Sequence, residues 1–438
     1  MRALKKHQGF RRYAANTSWM MAERLLRILA GLLVGIWVAR YLGPEQFGLF
    51  SYVLAFAAIF SGIAKLGLDG ILVRELVNQP EQRDTYLGTA FWLKVIGAFS
   101  VMALIALITP FTSNDATTSL FIFIISAGLA FQSFEVVDFY FQSKVLAKIV
   151  SICKVTQLTI SSIIKIYLVL TQAELLWFVC VTAFDSFSLG VSYFIAYKIR
   201  GNASFFKCFN GGIAKSLLKD SWPLIFSSVL AMVYLKIDQV MIKEILGSYE
   251  VGIYSAAVKL TESVYFIPIL LTSSLFPAII NAKKRGHNIY ICRLKKLYAM
   301  LIWSAIFIAL FFSISGAYLI TLLFGASYIL SSEILLIHAW ASVFVFLSAG
   351  FGRYLMVENL AKINMYRVAV GAILNIIINF LVIERYGIVG AAWATLISLF
   401  FVNIVFDMFN ANMRSQLKLK MLAFLYPISL LVRFFNRV

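Results

Sequence analysis

The sequence predicts an all-α polytopic membrane protein with twelve transmembrane helices, arranged as two parallel-repeat six-helix lobes around a central cavity. Three observations predict it: the composition, the spacing of long apolar stretches, and a corner motif written twice. Of 438 residues, 61% are hydrophobic and 13% charged, with a mean hydropathy of +0.87. Soluble domains carry roughly 45–50% apolar and about 25% charged residues. The apolar runs are continuous over roughly 20 residues, the length of a spanning helix. Outer-membrane barrels would instead show alternating segments of about 10 residues.

The first lobe is expected over 1–197, with spans at 14–39, 47–66, 87–109, 118–139, 149–170 and 174–197. A polar linker over 198–220 follows, whose stretch "FFKCFNGGIAKSLLK" (Phe205 to Lys219) reads as a helix lying on the inner surface. The second lobe, 221–410, holds spans at 221–245, 252–279, 297–320, 331–356, 364–383 and 388–409. The tail, 411–438, contains a short apolar core, Pro427 and basic ends at Arg433 and Arg437. It reads as a basic amphipathic helix on the cytoplasmic surface rather than a thirteenth span.

Lys and Arg in the connections set the orientation. With the N-terminus inside, 26 basic residues fall in the inside segments, and only Arg40, Lys243 and Arg385 fall outside. A missed helix would scramble that alternation, so both termini are expected in the cytoplasm. The same asymmetry accounts for the net charge of +19 through topology and anionic headgroups, and no nucleic-acid partner is expected. Cys153, Cys180, Cys208 and Cys292 form no CxxC pair and lie near no His cluster, so no metal site is expected. His338 is expected to pack within a helix through a hydrogen bond.

The repeated corner is "YLGPEQFGLFSYVLAF" (Tyr41 to Phe56) and "ILGSYEVGIYSAAVKL" (Ile245 to Leu260). Leu42-Gly43, Gly48 and Ser51 align with Leu246-Gly247, Gly252 and Ser255. Gly43 and Gly247 supply the permissive backbone of a tight corner. A second match, in the same order and nearly the same offset, places Leu-Ala-Lys-Ile at Leu146–Ile149 and Leu360–Ile363, opening the fifth span of each half. Shared membrane-helix composition explains apolar runs but not matched polar corners. An even number of spans per half makes the repeats parallel, and such pairs place a substrate site between halves that rock against each other.

The stretches "NTSWMMAERLLRILAGLLVGIWVARYLGPEQFGLFSYVLAF" and "KIDQVMIKEILGSYEVGIYSAAVKL" resemble the polysaccharide (Wzx-type, O-antigen) flippase family, within the multidrug/oligosaccharidyl-lipid/polysaccharide exporter (MOP) superfamily. The resemblance spans almost the whole chain. It implies a MATE-like pair of lobes in a V, with helices 1, 2, 7 and 8 lining the cavity. It also implies a flippase that moves an undecaprenyl-diphosphate-linked oligosaccharide from the inner to the outer leaflet of the bacterial cytoplasmic membrane, for O-antigen or other surface polysaccharide. Membrane lipids and other polysaccharide assembly proteins would be its partners.

Charged residues at depth narrow the site, because each costs about 2.5–3.5 kcal/mol at a helix centre. The deep set is Glu23, Arg24, Arg27, Asp185, Lys236, Asp238, Lys259 and Glu262. Glu23 with Arg27 is an i,i+4 pair and Lys259 with Glu262 an i,i+3 pair. Glu23 serves only one Arg well, leaving a guanidinium suited to bidentate contact with a diphosphate. Arg24, Arg27 and Lys259 are therefore the expected headgroup ligands, with Lys236 and Lys94 as second choices. Asp238 and Asp185 are candidates for H⁺ or Na⁺ coupling or for charge pairing, as are Glu23 and Glu262. Lys65, Lys154, Lys165, Arg353 and Asp407 lie near helix ends and are expected to snorkel.

The main alternative is a MATE-like multidrug/cation antiporter, which would want acidic cavity walls rather than the basic side chains of helix 1. A lipid II flippase would need two more helices. A membrane polysaccharide polymerase or glycosyltransferase would place catalytic residues on a sizeable outside loop, and every outside loop here is short. A passive channel fits two unequal repeats less well than alternating access does. A transporter, not an enzyme, is expected.

Overall fold

The computed structural model describes residues 2–410 and 413–426, with side chains described from Asn16 onward except at 361. The basic side chains expected at Arg2, Lys5, Lys6, Arg11 and Arg12, and the tail from 427 to 438, lie outside the described residues.

Helices fill both halves. The first unit, Met1–Val240, contains α1 (Arg2–Lys65), the short α2 (Asp69–Asn78), α3 (Arg83–Ile108), α4 (Ala116–Phe131), α5 (Glu135–Ser143), α6 (Ala147–Leu170), α7 (Leu175–Ile199) and most of α8 (Gly211–Ile245). The second unit, Met241–Val438, contains α9 (Ser248–Ser263), α10 (Phe266–Arg285), α11 (His287–Phe324), α12 (Ser331–Val357), α13 (Ala361–Phe400), α14 (Phe406–Phe409) and α15 (Arg414–Phe424). A π-helical turn, Phe401–Val405, joins α13 to α14.

Among the described residues, ten helical segments are long and apolar enough to cross a membrane. Two of them, 16–78 and 362–409, are far longer than the ~20 residues one crossing needs. Each is broken by a glycine at positive φ: Gly43 (φ 69°, ψ 172°) and Gly387 (φ 60°, ψ −148°). Counting both sides of each break gives the twelve spans the sequence predicts.

The repeated motifs are repeated backbone. Gly43 and Gly247 both take positive φ with extended ψ, a conformation essentially closed to residues with a Cβ. Pro44, directly after Gly43, starts the next helix at the position where a missing N–H does no harm. At the second match, Val145 (φ 58°) and Asn359 (φ 57°) are both left-handed. Leu146 N–H then donates to Phe141 C=O at 2.9 Å, and Leu360 N–H to Leu355 C=O at 2.8 Å. These are matching helix ends of the Schellman type. Asn tolerates that conformation, whereas the β-branched Val145 is strained in it.

One expectation is corrected. The 198–220 stretch holds no separate surface helix. Asn210 caps α8, its Oδ1 accepting from Ile213 N–H at 3.0 Å, so α8 runs unbroken from Gly211. Ahead of it, Phe205 is fully buried against Phe91 and Tyr197. Trp92 Nε1 donates to Phe206 C=O at 2.8 Å, and Asn210 N–H to Thr89 Oγ1 at 3.0 Å. The connection is therefore sewn to α3, and Gly88 leaves the room for it.

The expected tail helix is described as α15. α15 buries Met413, Gln416, Leu419, Lys420 and Ala423, a stripe at helical spacing, into the second unit against α11.

Candidate functional site

The first span begins with a cap across space: Asn16 Oδ1 accepts from Ala147 N–H, at the start of α6, at 2.6 Å. Arg24 lies eight residues on, about 12 Å up the helix at 1.5 Å per residue, and Arg27 one turn farther. Both fall within the segment long and apolar enough to span. Glu23 is buried, and its Oε1 lies 3.2 Å from Arg27 Nε, as the i,i+4 spacing predicts. Arg27's side chain nevertheless remains 51% exposed, and Arg24 is exposed as well. Arg24 has no ion-pair or hydrogen-bond partner among the described residues. α1 therefore presents two guanidiniums on its accessible surface, one half-neutralised and one not.

Asp238 is buried on α8, and Lys236 on the same helix is half-buried. In the second unit, Lys259 and Glu262 are half-buried on α9. All four are engaged with neighbours. Lys94 is different from its expected role. It is 1% exposed, its Nζ bonds Glu135 Oε2 at 2.8 Å, and it lies 5.2 Å from the centre of the Phe139 ring. Its ammonium is spent inside the first unit and is not offered to a ligand.

Glu135 and Asp138 escaped the sequence reading, although "FEVVDFYFQ" places them one helical turn apart within a predicted span. Their proximity to its expected end hid their depth. They belong to a set of three lysine–carboxylate pairs in the first unit, each at 2.8 Å: Lys94–Glu135, Lys154–Asp138 and Lys165–Asp185. Lys154 and Lys165 thus pair rather than snorkel. Gln142 donates to Asp138 and Gln157 to Asp185, both at 2.8 Å. A cavity of about 150 Å³ opens beside them, with Gln132, Glu135, Gln157, Asp185 and Tyr193 among its walls. A 3₁₀ turn at Gln132–Phe134 interrupts the fourth span there, the kind of mid-helix tightening that accompanies hinges.

In the second unit, Arg353 donates to Ser273 Oγ at 3.2 Å and lies 5.2 Å from the centre of the Phe276 ring, so it too is held rather than snorkelling. His338 is buried with its Nε2 3.0 Å from Tyr254 Oη, the packing role expected of it. Among the described residues, no group of His, Cys, Asp and Glu is arranged to hold a metal ion.

Comparison with known proteins agrees with this architecture. The profile of a family described as polysaccharide biosynthesis protein matches residues 13–283. The capsular polysaccharide biosynthesis protein CapF of Staphylococcus aureus is 23% identical over 411 residues, covering 88% of this chain and 96% of CapF. The probable low-salt glycan biosynthesis flippase Agl15 of Haloferax volcanii is 26% identical over 380 residues, covering 84% and 76%. Among solved structures, the lipid II flippase MurJ in an inward closed conformation aligns over 95% of this chain and 92% of its own, with a TM-score of 0.66 at 17% identity. An inward-facing multidrug resistance MATE transporter of the MOP superfamily aligns over 90% and 95%, with a TM-score of 0.58 at 18% identity. These relatives and neighbours are flippases, transporters and a capsule biosynthesis protein, in line with the expectation of a transporter. The chain is a multi-pass membrane protein that belongs to the polysaccharide biosynthesis protein family and has the fold of MOP-superfamily transporters.

Proposed function

We propose that this protein flips an undecaprenyl-diphosphate-linked oligosaccharide from the inner to the outer leaflet of the bacterial cytoplasmic membrane, by alternating access, in the assembly of O-antigen or another surface polysaccharide. One observation carries the reading: α1 exposes Arg24 and Arg27 within a spanning segment, with a single carboxylate, Glu23, to share between them. An exposed guanidinium at such depth is expensive unless it faces water or an anion. A diphosphate supplies the bidentate partner, and the low local dielectric strengthens the attraction. Lys236 on α8 and Lys259 on α9 are proposed as further headgroup ligands. A cationic drug would meet the wrong sign of charge on this helix.

Complementation of cells that lack a polysaccharide flippase, scored by surface glycan, tests the proposal. Loss of one charge-assisted contact is worth about 1.5–3 kcal/mol, so Arg24→Ala and Arg27→Ala are each expected to lower surface glycan about tenfold or more at equal expression. Lys at either position should retain part of the activity, since charge survives while the fork geometry does not. Full activity in both Ala variants would move the headgroup site elsewhere. For energy coupling, Asp185 and Asp238 are the proposed H⁺ or Na⁺ sites. In the same assay under varied ion gradients, Asp185→Asn and Asp238→Asn should blunt the ion dependence, and dependence that survives both would exclude them.

A further inference from the structure

The deepest charges of the second unit lie where the tail helix meets the last span. Lys420 of α15 and Asp407 of α14 are both 0% exposed, with Lys420 Nζ 2.5 Å from Asp407 Oδ2. Lys420 Nζ also donates to Asn403 C=O at 3.1 Å and lies 3.7 Å from the centre of the Phe351 ring. Arg367 of α13 is 3% exposed and lies 4.7 Å from the centre of the same ring. It donates to Asn403 Oδ1 at 3.0 Å and to Ser348 Oγ at 2.7 Å. The groups around Lys420 from α12, α13, α14 and the π-helical turn are thus an aromatic face, a guanidinium, a carboxylate and a carbonyl. α11 adds Tyr298, whose hydroxyl donates to Gln416 of α15 at 3.0 Å.

An ammonium here faces one anion and one cation, with no exposure to water. The guanidinium keeps its proton in any protein environment. Lys420 is the group that can relieve the excess of positive charge, by giving up a proton and remaining bonded to Asp407 as a neutral amine. We propose that Lys420 is a proton-binding site, and that release of its proton tightens the docking of α15 on the second unit. The site is independent of the cargo.

Burial, and secondarily the Arg367 charge, push the Lys420 ammonium down to about 7, against the opposing pull of Asp407. Undocked and solvated, a lysine titrates near ~10.4. Between those values the docked helix binds fewer protons than the undocked one. Docking therefore strengthens as pH rises above about 7, by up to about tenfold per pH unit until the solvated lysine itself deprotonates. Below that range both states are protonated, and docking stays at its weakest level.

The test is thiol accessibility in the full-length protein with Cys153, Cys180, Cys208 and Cys292 replaced. Ala423→Cys reports on the buried face of α15, and Lys418→Cys, on its exposed face, corrects for thiolate reactivity. The ratio of their maleimide rates measures opening. It is expected to be flat at acidic pH and to fall steeply above neutrality. Lys420→Met removes the proton site and should abolish the fall of the ratio above neutrality. Lys420→Gln serves the same purpose if the Met variant does not fold. A flat ratio with Lys420 present, or the same slope after its replacement, would overturn the proposal.

Discussion

Glu135→Leu is expected to destabilise the first unit by about 3–5 kcal/mol, the loss seen when one partner of a buried ion pair is removed. The remaining partner is the reason. Lys94 is 1% exposed, and its ammonium has Glu135 at 2.8 Å and the Phe139 ring as its neighbours. Without the carboxylate the buried ammonium loses its ion-pair partner, which is costly. Adding Lys94→Met should restore stability to wild type or above, because a buried pair is often no better than well-packed apolar groups of similar volume. Chemical unfolding in detergent, following both variants beside wild type, measures this. A single variant as stable as wild type, or a double variant no better than the single one, would show that the pair does not hold the helices together.

Gly88→Val is the second large effect. A Cβ at position 88 would overlap the carbonyl oxygens of Phe205 and Cys208. Neither carbonyl is free to retreat: Phe205 is locked in the aromatic core, and the strand of chain around it is bonded to Trp92 and Thr89. Overpacking of this kind costs roughly 1–3 kcal/mol, more where backbone must move. At ~2–4 °C per kcal/mol for a domain of this size, the midpoint should drop by about 2–12 °C. Gly70→Ala is the control, since a Cβ there meets nothing within 4 Å. It should be neutral or slightly stabilising in its helix. Equal behaviour of the two variants would contradict the sewn-down connection.

What the sequence made legible were features whose cause is local. Gly43 and Gly247 are conformational requirements written as single residues, and the corners followed from them. The Leu-Ala-Lys-Ile openings carried the second match for the same reason. The Glu23–Arg27 contact was legible because four residues of helix fix its geometry. Pairings between helices were not, since depth along a span says nothing of which neighbour faces it. Lys154, Lys165 and Asp407 were therefore expected to reach for the interface, yet they found Asp138, Asp185 and Lys420. Lys94 failed as a ligand candidate in the same way. The docking of α15 turned on Gln416 and Lys420, polar residues whose partners lie 118 and 13 residues away in the chain.

The glycine corners have a consequence for cargo size. Gly43, Gly247, Gly325 and Gly387 all take positive φ, and by helix parity all four lie on one membrane face. The other two links on that face, after α3 and α6, are only a few residues long. For the cargo and orientation proposed above, the described residues of these links offer nothing with which to gauge the length of a sugar chain. A ruler for glycan length would then have to lie elsewhere in the chain or belong to another protein.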